Sequence, residues 1–249
     1  MEGARVLRNS QIIILGVCIA VATIVSSVIL SQGFLKVMKF SREAITVTGS
    51  ANRDIRSDYI VWKCSFSRTE AELETAYRKL NRDLTRVKQY LASQGVDEKE
   101  EAVSQVSIAT IYKKNERGSD TNEIMGYRLS QAVEIRSSDV DKITVISRQS
   151  SELINEGIEF ASGAPEYFYT KLDDLKIEML ASASENAKQR AENMVKATGN
   201  RIGLMRSARM GVFQITPRNS TEVSDWGISD TSSLEKKVTA VVSASFAIE

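Results

Sequence analysis

The chain has 249 residues, enough for one large domain or two small ones with a packed core. Lysine and arginine number 33 against 32 aspartates and glutamates, which argues against the basic surplus of a nucleic-acid binder. Histidine is absent, which removes Ser-His and Cys-His nucleophile pairs and most zinc and iron sites.

The N-terminal run "IIILGVCIAVATIVSSVIL", residues 12–30, carries no charge. Its length is close to the roughly 20 residues that cross a bilayer as a helix, and longer than the usual apolar region of a signal peptide. The expectation is an uncleaved anchor. The alternative is cleavage at Ser31-Gln32-Gly33, a small-x-small site. A lipoprotein reading at Cys18 fails because Val17 is too large for its position and apolar sequence continues beyond the cysteine. Arg5 and Arg8 precede the run, and Lys36, Lys39 and Arg42 follow it. Counted strictly, these charges do not place the N-terminus in the cytoplasm.

Downstream, "EAITVTGSA" (residues 43–51) reads as a strand closing on Gly49. "DYIVWKCSF" alternates, with Ile60, Trp62, Cys64 and Phe66 on one face. Cys64 reads as a small core residue, and two cysteines in separate apolar segments give no disulfide framework. Residues 70–93 form an amphipathic helix with an apolar stripe of Leu73, Tyr77, Leu80, Leu84, Val87 and Leu91, stopped by Gly95. Residues 102–112 read as one strand and the polar stretch 113–123 as a hairpin loop. Asp120 and Asn122 in that loop lack the rest of a calcium-binding pattern.

"GYRLSQAVEIRSSDVDKI", residues 126–143, raises the question of a reactive site. Tyr127, Leu129, Gln131, Val133 and Ile135 alternate as a strand. Ser138 then opens a helix, 138–156, with Asp141 three residues on as in a capping box. Asp139 and Asp141 suit the positive helix end, so the carboxylates are read as capping groups rather than catalysts. Two strand-like pieces follow around Gly163-Ala164-Pro165. A third helix, 173–198, starts at Asp173 and stops at Gly199. Its inner side is read as Ile177, Leu180, Ala181, Ala187, Ala191, Met194 and Val195. Residues 201–215 read as a strand, 216–233 as a long polar loop around Trp226 and Gly227, and "KKVTAVVSASFAIE" as a final strand. Ser233 and Lys236 match Ser-x-x-Lys without its partner motifs. No phosphate loop, zinc spacing or nucleophile elbow occurs.

"ITVTGSA", "GYRLSQAVEIRSSDVDKI", "ASENAKQRAENMVKATGNRIG" and "VTAVVSASFAI", in that order from about Ile45 to Glu249, resemble the SIMPL-domain family. This is a bacterial envelope family of largely unknown function that includes immunogenic outer-membrane and periplasmic proteins. The resemblance implies a secreted or membrane-anchored α+β domain, transfers no catalytic residues, and suggests homo-oligomers and links to stress tolerance. "GIEFASGAPEYFYTK" and "VSDWGISDTSS" depart from the pattern.

These readings give an α+β fold of mixed, mainly antiparallel sheets packed by three main helices, with one N-terminal transmembrane helix. Residues 1–35 form an anchor or uncleaved signal, 36–44 a linker, and 45–249 the SIMPL-like domain. The expected function is that of a non-catalytic envelope protein in the bacterial inner membrane. It crosses once and its domain self-associates in the periplasm. The resemblance carries this orientation against the weak lean of the flanking charges. The alternative is a protein secreted to the periplasm or outer membrane after cleavage. No catalytic, cofactor or metal residue is assigned, and no nucleic acid is expected to bind. Candidate interface residues are Trp226, Gly227, Tyr167, Phe168 and Tyr169. A periplasmic module binding a ligand, peptide or envelope protein is the second reading. A serine/lysine hydrolase through Ser233 and Lys236 is the third, and a buried Ser-Lys contact would favour it.

Overall fold

A computed structural model describes residues 15–34 and 44–249. The flanking charges at 5, 8, 36, 39 and 42 lie outside the described residues. Helix α1, Leu15–Phe34, is long and apolar enough to cross a membrane, and none of it is buried within the protein. The rest is α+β, as the periodicities predict. The remaining described residues form two units. The larger comprises Ala51–Leu180 and Val212–Ala240. The smaller comprises the described residues up to Ser50, with Ala181–Gly211 and Val241–Glu249.

The larger unit is built on a sheet with the order β3-β5-β2-β6, in which β4 also pairs β5 and β7 also pairs β2. Its strands are β2 (Tyr59–Glu70), β3 (Glu101–Val103), β4 (Ser107–Lys114), β5 (Asp120–Ser137), β6 (Glu159–Ser162) and β7 (Glu166–Phe168). Every pairing is antiparallel. The alternation read from the sequence is the buried face: Ile60, Trp62, Cys64 and Phe66 of β2 lie beside Leu129, Val133 and Ile135 of β5. Helices α2 (Leu73–Ser93) and α3 (Val140–Gln149) supply Leu80, Val87, Leu91, Ile143 and Ile146 to the same core. Trp62 is fully buried, and its indole N–H donates to Ser162 Oγ at 3.0 Å. The largest side chain in the core therefore leaves no polar atom unsatisfied.

Several boundaries differ from the sequence reading. Residues 70–72 precede α2; in its first turns Leu73 and Tyr77 are exposed by somewhat less than half and Ala76 takes the inward position. Asp83 is buried on the same helix, where a bidentate ion pair with Arg68 of β2 compensates its charge (Nη2–Oδ1 2.7 Å). Residues 102–112 are two strands, because Ser104 breaks the ladder. Its N–H donates to Ala132 O at 2.8 Å, and its Oγ accepts from Ala132 N at 2.9 Å. The polar loop shrinks to a turn whose Asn115 Oδ1 accepts from Arg117 N and Ser119 N, both at 3.0 Å. The second helix is α-helical only to Gln149; residues Ser150–Glu156 tighten into a 3-10 helix that ends at Gly157, φ +77°.

In the other sheet, β11 (Glu235–Ile248) stands beside β1 (Ala44–Arg56), β9 (Gln214–Pro217) and β8 (Ile202–Met210), and β10 (Ile228–Ser229) pairs β9. The expected strand 201–215 is divided: β9 pairs Lys236–Thr239, whereas β8 pairs Val242–Ile248. Helix α4, Leu172–Lys196, begins one residue before Asp173 and ends just before Gly199, φ +81°. Its buried row is Leu175, Met179, Ala183, Ala187, Ala191 and Val195, stepping by four throughout. The expected inner residues Ile177 and Met194 point to solvent instead.

Gly49 explains that choice within the smaller unit. The first strand does not close there but runs to Arg56. A Cβ on Gly49 would lie 2.2 Å from Ala183 O and 2.3 Å from Ala187 N, so the helix backbone rests directly on the strand backbone. Only small residues permit this approach, which selects the alanine face over the more apolar Ile177–Met194 face. Val47, Ala187, Ala191, Ala244 and Phe246 complete this core.

Candidate functional site

Within the stretch 126–143 the carboxylates serve structure. Asp139, not Ser138, caps α3, its Oδ1 accepting from Lys142 N at 3.2 Å. Ser137 lies inward and its Oγ accepts from Asp139 N at 3.0 Å. The alternation of β5 extends one residue further than expected and displaces the cap by one. A capping box is present elsewhere, at Asp97 and Glu100. Asp141 pairs with Arg56 (2.6 Å), which also meets Glu235 (3.2 Å). The hydrogen bond to Asp141 and that carboxylate's charge raise the Arg56 pKa above its ordinary value, fixing it as a cation.

Arg56 borders a cleft of about 480 Å³ in the larger unit. The end of β1 supplies Arg53, Asp54 and Arg56. Tyr169 and Lys171 come from the segment before α4, and Asp174 and Glu178 from its first turns. Arg53 pairs with Glu178, and Asp54 with Arg218 at 3.1 Å. Asp58 ties the segment down by accepting from Thr170 N (2.7 Å) and Thr170 Oγ1 (2.8 Å). Cations and carboxylates alternate around the rim, a surface able to orient a polar ligand carrying both signs of charge. Of these residues the sequence reading singles out only Tyr169; ending the first strand at Ala51 leaves Arg53, Asp54 and Arg56 unplaced. The signal available was the continued alternation in "ANRDIR", with buried Ile55 between charged neighbours.

The reactive-residue candidates divide as follows. Cys64 is buried; desolvation pushes its thiol up to about 12, and Sγ donates to Val133 O. Lys236 is only 2% exposed, yet its Nζ donates to the backbone carbonyls of Tyr167 (2.8 Å) and Asp230. Burial lowers its pKa while Asp230 works in the opposite direction. Burial pushes Asp230 up, but hydrogen bonds from Ser232 and Ser233 and the charge of Lys236 bring it below its ordinary value. Lys236 thus joins the loop before β11 to β7, and its two acceptors are carbonyls, not a serine hydroxyl. Among the described residues, no cluster of acidic or sulfur ligands could hold a metal ion.

The interface candidates are separated. Tyr167 points inward, its hydroxyl 3.2 Å from Thr144 Oγ1; Phe168 points outward; Tyr169 lines the charged cleft. Alternation along β7 sends Tyr167 and Phe168 to opposite faces, and Tyr169 lies beyond the end of the strand, so the three do not line one groove. Trp226 is 94% exposed. The loop beneath it is nevertheless well tied. The Gln214 amide donates to Ser224 O (2.6 Å) and accepts from Ser224 N (3.4 Å), and Gly227 N donates to Ser224 O at 3.1 Å. Gly227 sits at φ +84°, and a Cβ there would meet Phe213 O at 2.9 Å. The expected long loop also contains β10, paired in parallel with β9.

A family model described as SIMPL, protein of unknown function, matches residues 45–246. No curated protein matches the chain.

Proposed function

The chain belongs to the SIMPL family, and from that premise we propose a non-catalytic, membrane-anchored protein of the bacterial cell envelope. Helix α1 holds it in the inner membrane, and the domain that follows lies in the periplasm and assembles into a homo-oligomer, with a role in envelope stress tolerance. Trp226 carries the assembly reading: a large aromatic ring is held outward on a loop fixed by Gln214 and Gly227. Exposed aromatic anchors on preorganised loops are the residue type that dominates protein interfaces.

The test is the mass of the full chain extracted in mild detergent, by light scattering corrected for bound detergent. The expected result is a multiple of 27.6 kDa that falls in Trp226→Ala. A monomer at tens of micromolar, on the order of weak-interface affinities, would overturn assembly. A reporter active only in the periplasm, fused after Glu249, tests orientation. An inactive reporter on a well-expressed fusion reverses it.

The charged cleft supports a second reading, an envelope module that binds a peptide or another zwitterionic ligand beside Arg53, Arg56 and Glu178. Isothermal titration with short peptides, compared with Arg56→Ala, separates it from the first.

A further inference from the structure

In the smaller unit, β8 pairs β11 on one side only; among the described residues its other edge has no partner strand. It is exposed from Leu204 to Met210. The register assigns its faces. Ala208 and Met210 stand opposite Ala244 and Val242, and Met205 opposite Phe246, so these three share the helix-bearing face of the sheet. Ser207 and Arg209 stand opposite Ser245 and Ser243 on the outer face, and Leu204, neighbour of Met205, points the same way. Leu204 is 81% exposed, and Met205 and Met210 are more than half exposed. A strand that presents long apolar side chains on both faces and an open edge is an unfinished surface in water.

Charge and chain length indicate what finishes it. Residues 201–210 contain Arg201, Arg206 and Arg209 and no carboxylate of their own; one carboxylate, Glu249, lies against Gly203. The nine residues between α1 and β1, 35–43, hold Lys36, Lys39 and Arg42 against a single acid, Glu43. Fully extended, those nine residues reach at most about 32 Å. The start of β1 in the smaller unit therefore stays within that reach of the headgroups of the bilayer in which α1 sits. Two strand spacings of about 4.8 Å separate β8 from β1. Apolar side chains interleaved with arginine, confined near a membrane, are suited to an anionic lipid surface. The aliphatic groups enter the headgroup boundary and the guanidinium groups meet phosphate.

We infer that β8 is a lipid-contact strand, with Leu204, Met205 and Met210 inserted at the headgroup level of an anionic bilayer and Arg201 and Arg209 on its phosphates. This rests on the anchored reading of α1 and adds a second, electrostatic attachment that fixes the smaller unit against the membrane.

The experiment uses the full chain in nanodiscs of phosphatidylcholine with or without phosphatidylglycerol. An environment-sensitive fluorophore is placed at Leu204→Cys in a Cys18→Ser background; Cys64 is buried, its thiol pushed up to about 12, and stays unlabelled. The same label in discs of phosphatidylcholine alone is the reference. Headgroup-level nitroxide lipids should quench position 204 at least about twofold more in anionic discs than in phosphatidylcholine discs, and the difference should shrink near 0.5 M salt. Arg201→Glu with Arg209→Glu should abolish it. Equal quenching in both discs, or none at 204, overturns the inference. A blue-shifted label that lipid nitroxides do not quench also overturns it and assigns the strand to a second copy. Retention of the chain in the disc through a high-salt wash reports separately on α1. Loss from the disc removes the anchored reading and this inference together; retention without quenching removes only this one.

Discussion

The two units bury their cores by opposite means. The larger one is filled by bulk: Trp62, Phe66, Leu80, Leu129, Ile135, Ile143 and Leu153 are each less than 2% exposed. The smaller one is closed by smallness, with Gly49 under Ala183 and Ala187 so that a helix backbone rests on a strand backbone. The first gains from apolar area removed from water. The second gains from close approach, where dispersion between backbones replaces large side chains. The larger unit should therefore be vulnerable to deletion and the smaller to addition.

The largest expected effect is Gly49→Val. The new side chain cannot avoid Ala183 O and Ala187 N, because both are backbone atoms of α4. A loss of about 5 kcal/mol or failure to fold is expected. A stability in urea within about 1 kcal/mol of the parent would break the account of the smaller unit. Next comes Trp62→Ala in the larger unit, where a cavity and the lost indole bond to Ser162 should cost about 3–5 kcal/mol. The reciprocal change Ala187→Gly should cost only about 1 kcal/mol, since it adds space where contact is already backbone to backbone.

Asp83→Ala sharpens the comparison at an intermediate scale. It leaves Arg68 half-buried without its bidentate partner, and about 2 kcal/mol is expected, below a fully buried pair because the Arg68 side chain remains 27% exposed. Replacing both residues by apolar groups should recover most of that loss, measured by a double-mutant cycle in denaturant.

A smaller effect concerns acid. The Asp230 carboxyl titrates below its ordinary value of 3.8 in the folded chain. The unfolded chain therefore binds more protons between the two values. The stability Asp230 contributes is present above about 3.8 and is lost as pH falls through the folded value. Asp230→Asn should flatten the acid limb of the stability curve and leave the neutral limb parallel to the parent. An unchanged acid limb would remove Asp230 from the lock around Lys236. The smallest effect is Trp226→Ala, expected within about 0.5 kcal/mol of the parent subunit because the ring touches so little of its own fold.

Sequence alone determined the features that depend on local periodicity. Alternation placed β2, β5 and β11 and assigned their buried faces, because side chains on a strand repeat every two residues whatever packs against them. The step of three and four located α2 and α4, and Gly95 and Gly199 marked their ends because the chain there needs positive φ. Charge-free length identified α1. Tertiary structure decided the rest. Which face of α4 turns inward depended on Gly49, more than 130 residues away in sequence, since only there could the alanine row approach a strand. The cap of α3 moved from Ser138 to Asp139 because Ser137 was drawn into the buried alternation of β5. The charged cleft arose where the unrecognised second half of β1 met the start of α4, and Trp226 turned outward because Gln214 and Gly227 fixed the loop below it. Each of these rests on contacts between segments distant in the chain, whose pairing local pattern does not encode.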